Sequence, residues 1–119
     1  MQINLNEVAA RAVAGLVKLA YKISGVFPHH GFALRNELYG DVVTNERWRR
    51  AAAIIASLRA LPGTDMTESE HEVRNLATAH MEVPNQMAQA TFYIGDGRNE
   101  LALERADRWS KDLEKEMEI

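Results

Sequence analysis

Two side chains in the sequence "RNLATAH" could act on a phosphodiester: Arg74 and His80, six residues apart. A histidine exchanges protons near neutral pH, and a guanidinium holds phosphate oxygens through its planar fork of donors. At about 100° per residue, however, six residues place the two side chains roughly 120° apart around a regular helix. They share a face only if a kink or a partner chain brings them together. His80 also falls in register with Val73, Leu76, Ala77 and Met87, an apolar stripe on which a histidine is more often a hydrogen-bonded core or interface group. No carboxylate or second histidine stands at a spacing that would clearly orient its imidazole for acid-base work.

Other clusters invite the same question. Glu68 and His71 form an E-x-x-H pair on one helix face, a spacing that di-iron carboxylate bundles use twice. Those sites need a second pair and two further inward glutamates, for which Glu37 is the only other acidic candidate. The segment "TESEHE" is more simply a solvated acidic first turn favoured by the helix dipole, so neither a metal nor another cofactor is expected. His29 and His30 read as polar residues of an "FPHHG" turn. In "RWRRAAAIIASLR", Arg47, Arg50 and Arg59 can project from one broad side of a helix while Arg49 points elsewhere. That row could contact phosphates beside a partly available Trp48. Equally, Trp48 could belong to the core and the arginines could pair with Glu46 and with acidic residues of the last helix.

Composition bounds these readings. A chain of 119 residues matches a single domain over 1–119, large enough to bury a real core. Apolar residues at 46% and charged residues at 26% are ordinary globular proportions, so the chain is expected to fold. The lack of cysteine excludes disulfides, thiolate metal sites and a cysteine nucleophile within these residues, and fits a cytoplasmic setting. The opening "MQINLNEVAARAVAGLVKLAYKISG" has neither the basic start nor the unbroken apolar run of a signal peptide. Arg11, Lys18 and Lys22 also interrupt any membrane span, so the segment reads as mature structure away from a membrane. A formal net charge of −3 supplies no overall field for phosphates, and nucleic-acid binding therefore demands a local basic face.

The elements that must position these groups are helical: apolar residues recur every three or four positions, and β-branched runs bounded by turns are missing. Leu5, Val8, Ala12, Leu16, Ala20 and Ile23 define a first helix over about 5–24, ended by Gly25 and the following turn. A second, over about 32–61, carries Leu34, Leu38, Val42, Asn45, Trp48, Ala52, Ile55 and Leu58, and stops at "LPGTD". A third opens at Thr67, with capping-box spacing to Glu70, and runs to about Ile94. A fourth follows from about Arg98, with Ala102, Ala106, Trp109, Leu113 and Met117 inward. Short connections make sequential helices antiparallel neighbours, so the expected fold is all-α, an up-down-up-down four-helix bundle. Pro84 cannot donate to the carbonyl of His80, which predicts a kink or break in helix three.

Three resemblances bear on function. The stretch "LVKLAYKISGVFPHHGFALRNEL", through Leu16, Tyr21, Phe27, Pro28, Gly31, Phe32, Leu34 and Arg35, resembles the four-helix-bundle proteins encoded in ribosomal-RNA intervening sequences. "ATAHMEVPNQMAQATFYIG" resembles that family's third helix, while "RRAAAIIASLRAL" replaces its Ser-x-Asn-Ile-Ala-Glu-Gly block. The accessory variability determinant of diversity-generating retroelements is similar in bundle plan and length. These resemblances imply a homo-oligomeric, non-catalytic accessory protein associated with RNA or a reverse-transcriptase nucleoprotein, for which Arg35, Arg47, Arg50 and Arg59 would form the contact face. "RNLATAH" itself resembles the motif of HEPN ribonucleases. By that resemblance Arg74, Asn75 and His80 would act on the 2′-hydroxyl and the scissile phosphate across a dimer cleft. A further alternative is a protein-only module, of phage, toxin-antitoxin or assembly type, recognised through the charged helix "NELALERADRWSKDLEKEME". Tyr21, Phe27, Phe32, Tyr39, Trp48, Phe92, Tyr93 and Trp109 are more aromatic surface than four slim helices need inside, so some are expected at an interface.

Overall fold

A computed structural model describes residues 5–40, 43–95, 100–101, 104–109 and 111, the side chains of 5–8 and 90–95 excepted. Among them the chain is all-helical: α1 (Leu5–Val26), α2 (Pro28–Leu38), α3 (Asn45–Arg59), α4 (Glu68–Ala79) and α5 (Glu82–Gly95). The described residues beyond 99 are helical as well. The apolar stripes read from the sequence meet in one core. Ala12, Leu16, Ala20 and Ile23 of α1, with Leu19, pack with Leu34 and Leu38 of α2 and Trp48, Ile55 and Leu58 of α3. Ala77, Val83, Met87, Ala106 and Trp109 complete it. Helix α1 packs on α2 and α4, and α3 packs on α2, α4 and α5.

Two expected helices are each divided. The stretch expected as one helix over 32–61 is α2 and α3. Tyr39 leaves the helix with extended backbone, and Gly40 follows at φ 117°, a conformation that favours glycine. Thr44 then starts α3 afresh, its hydroxyl accepting the Arg47 backbone N–H at 3.3 Å. The beginning of that stretch also moves: Pro28 occupies the first turn of α2, where a missing N–H costs nothing. The expected "FPHHG" turn therefore shrinks to Phe27, and His29 and His30 lie on helix.

The stretch expected as helix three breaks at His80–Met81. Here Pro84 falls in the first turn of α5, where its ring and absent donor are tolerated. The His80 carbonyl that Pro84 cannot serve accepts from the Val83 N–H at 3.1 Å. Backbone, rather than a side chain, closes that gap. Thr67 caps α4 as its spacing predicts, accepting from the Glu70 N–H at 3.2 Å.

The corner between α1 and α2 is a close backbone approach. The Ser24 hydroxyl folds back onto the Ala20 carbonyl at 2.8 Å, and Gly31 lies directly against the Ser24 backbone. A Cβ at position 31 would stand 2.5 Å from Ser24 Cα and closer still to its amide nitrogen. Only glycine fits that crossing as it stands.

Candidate functional site

Arg74 and His80 occupy different settings. The Arg74 guanidinium turns to the end of α3, where Nη1 donates to the Leu61 carbonyl at 2.8 Å. Gly63 lies beneath it, close enough that a Cβ there would meet both terminal nitrogens at 3.0 Å. A cation on carbonyls past a helix C-terminus is a favourable cap. Asn75 is exposed. His80 is 1% exposed within the core, and its backbone N–H closes α4 on the Leu76 and Ala77 carbonyls. A substrate phosphate at Arg74 would displace a structural hydrogen bond, and one at His80 would have to enter the packed interior.

The four arginines expected as one contact face are put to different uses. Arg47 bridges the interruption between α2 and α3: Nη2 donates to the Asn36 carbonyl at 2.8 Å and also to the Tyr39 carbonyl. Glu37 binds the next turn, with Oε2 2.9 Å from Arg50 Nε and 4.0 Å from Arg47 Nε. Glu46 adds a pair to Arg50 at 2.9 Å. The hydrogen bond that Arg50 Nε donates to Glu37 Oε2 is the main reason that the Arg50 guanidinium is held above its ordinary pKa. Arg59 is exposed at the end of α3. Trp48 is 2% exposed, which answers to the reading in which it belongs to the core rather than the one in which it stacks on a ligand. Of the two readings left open by the sequence, pairing describes Arg50 well, except that its second carboxylate comes from α2 rather than the last helix.

The fourth arginine, Arg35, belongs to another surface. Its guanidinium lies 4.5 Å from the Tyr21 ring centroid, across the α1–α2 corner. The Ser24–Gly31 crossing explains the meeting. Tyr21 is one turn before Ser24 on α1, and Arg35 is one turn after Gly31 on α2. Phe32 lies on α2 and Tyr39 just past its end, and among the described residues Tyr21 (58% exposed), Phe32 (62%) and Tyr39 (85%) are the large apolar side chains left open to solvent. Lys18 and Lys22, both exposed, flank Tyr21 on α1. No carboxylate pairs with Lys18, Lys22 or Arg35 among the described residues. The face expected from the sequence joined Arg35 to Arg47, Arg50 and Arg59 and left out Lys18 and Lys22, for which a signal exists: residues 8–36 contain Arg11, Lys18, Lys22 and Arg35 and no aspartate or glutamate.

The remaining candidates are dispersed. Phe27 is half-buried with its ring edge-on to His30 at 6.1 Å. Trp48 and Trp109 are core, and the side chains of Phe92 and Tyr93 lie outside the described residues. No group of three histidine or carboxylate side chains able to hold a metal ion occurs among the described residues. Glu68 is exposed and His71 half-buried. On the charged last segment, Glu104 pairs with Arg108 at 3.3 Å and Asp107 with Lys111 at 2.9 Å, which neutralises much of the described surface there. No described helix is long and apolar enough to cross a membrane. Comparison with protein-family models, curated proteins and solved structures finds no match to this chain.

Proposed function

We propose that the chain is a non-catalytic accessory module that associates with RNA or an RNA-bound protein through the outer face of α1 and α2. The observation that carries this reading is the set Lys18, Lys22 and Arg35, three exposed cations with no carboxylate partner among the described residues, interleaved with the exposed rings of Tyr21, Phe32 and Tyr39. A local basic face is what a chain of net charge −3 needs in order to meet phosphates. The resemblance of the opening half to bundle proteins of ribosomal-RNA intervening sequences favours the same class and an oligomeric assembly. Arg35 is the member of the originally expected arginine row that this face retains. Arg47 and Arg50 are drawn into the fold by Glu37 and the end of α2.

The test is RNA binding followed across a salt series. Three phosphate contacts give a logarithmic slope of about −2 for a single strand. Reversing Lys18 and Arg35 together to glutamate abolishes binding and leaves the helical circular dichroism unchanged, whereas Arg59→Glu has little effect. Absence of binding to any RNA or nucleoprotein would rule out the class. Survival of binding in the double reversal would rule out the face.

A further inference from the structure

We infer that the α1–α2 face recognises unpaired bases of single-stranded RNA, with Phe32 and Tyr39 as stacking surfaces and the layered Tyr21–Arg35 pair between the helices as a third. The inference rests on the RNA reading above and narrows it to a ligand class. Phosphate attraction alone needs no aromatic groups, yet this face leaves three large rings in water. Exposed rings interleaved with cations suit strands whose bases are free to stack, because every base offers a π-face while the cations follow the backbone. A duplex keeps its base faces inside the stack and offers only phosphates, sugars and groove edges to a surface of this kind.

The alternatives fit the face less well. A stable contact between copies has a core depleted of charge, whereas this face carries Arg35 and Asn36 between Phe32 on α2 and Tyr39 just past its end, with Lys18 and Lys22 on α1. A membrane-surface helix needs a continuous apolar face, and Arg35 and Asn36 interrupt this one. The spacing is also suitable. From Phe32 to Leu38 the helix rises about 9 Å, and Tyr39 stands one extended residue farther on, a reach of roughly three stacked nucleotides at about 3.4 Å each. Arg35 lies between the two rings in sequence, and its exposed guanidinium sits over the Tyr21 ring, an arrangement on which a base can stack in turn.

The experiment measures binding of a labelled oligouridine and of a blunt RNA duplex of matched length to the full chain by fluorescence anisotropy. The expected result is tighter binding of the single strand. Phe32→Ala and Tyr39→Ala each weaken it on the order of tenfold without changing the salt slope, Phe32→Tyr restores it, and Lys18→Ala lowers the slope. Both rings are exposed, so the variants keep the wild-type circular dichroism. Equal or tighter binding of the duplex, with both alanine variants unaffected, would overturn the stacking inference while leaving the RNA reading in place. If neither RNA binds the wild type, the single-strand inference fails, and the wider reading fails with it if no nucleoprotein binds either. If Phe32→Ala instead dissociates an oligomer on sedimentation and leaves RNA affinity unchanged, the rings belong to a copy-to-copy contact and the inference is wrong.

Discussion

Replacing Gly31 by alanine tests the corner on which the α1–α2 face depends. The new Cβ would lie 2.5 Å from Ser24 Cα, against the 3.5–4.0 Å at which carbon atoms rest comfortably, so the helices must part by about 1 Å or more. The obstruction is backbone, and no rotamer change relieves it. Overpacking of this kind costs typically 1–3 kcal/mol; the upper end applies here, and the gain from removing a helical glycine offsets up to about 1 kcal/mol of it. The expected net loss is ~2 kcal/mol, which for a domain of this size lowers the melting temperature by roughly 6–10 °C. Gly25, near the end of α1, provides the matched control, since a Cβ there meets nothing within 4 Å. Gly25→Ala should be neutral or stabilising by up to about 1 kcal/mol. Thermal and urea unfolding of the two variants read out the opposite signs. Equal stability of Gly31→Ala and Gly25→Ala would refute the close approach, and with it the explanation of why Tyr21 meets Arg35.

Arg47→Ala should destabilise by ~1–2 kcal/mol in urea unfolding, because the carbonyls of Asn36 and Tyr39 lose a charged donor at the end of α2. Lysine should not restore the loss, since an ammonium lacks the planar fork that serves both acceptors, and Arg50→Ala should cost less because its pairs are exposed. His80→Ala should lower stability by ~1–3 kcal/mol through lost packing and disturbed core polarity. In an RNA cleavage assay at matched folding, wild type, Arg74→Ala and His80→Ala should all be inactive. Wild-type cleavage that disappears in both variants would restore the catalytic reading of "RNLATAH".

The core is legible in the sequence because burial follows helical periodicity: Ala12, Leu16, Ala20 and Ile23 repeat at intervals that only one face of a helix satisfies, and all four are buried. The division of the second stripe is not legible in the same way. Leu38 and Trp48 lie in register along a continuous helix, so the apolar pattern passes straight across an interruption marked only by Gly40 and Thr44. Periodicity reports which side is inward and says little about continuity. The α1–α2 face escaped for a related reason. A run without acidic residues is an absence spread over 8–36, whereas "RWRR" is a visible cluster, yet folding brings carboxylates to the cluster and, among the described residues, none to Lys18, Lys22 or Arg35. Arg74 shows the same limit, because its acceptor, the Leu61 carbonyl, is a backbone atom that residue type does not mark.

The packing order of the helices has a kinetic consequence. Helix α2 rests on α1, α3 on α2, and α4 on α3, so most of the early assembly closes only short stretches of chain. Short closures lose little chain entropy, and domains assembled from them fold quickly. The contact between α1 and α4 is different, because it joins segments separated by the whole of α2 and α3. Ala77, buried where α4 enters the core, is therefore expected to gain its native surroundings after Leu34 has met Ile23. In a stopped-flow mutational series, truncating Ile23 should slow refolding, while Ala77→Gly should mainly accelerate unfolding.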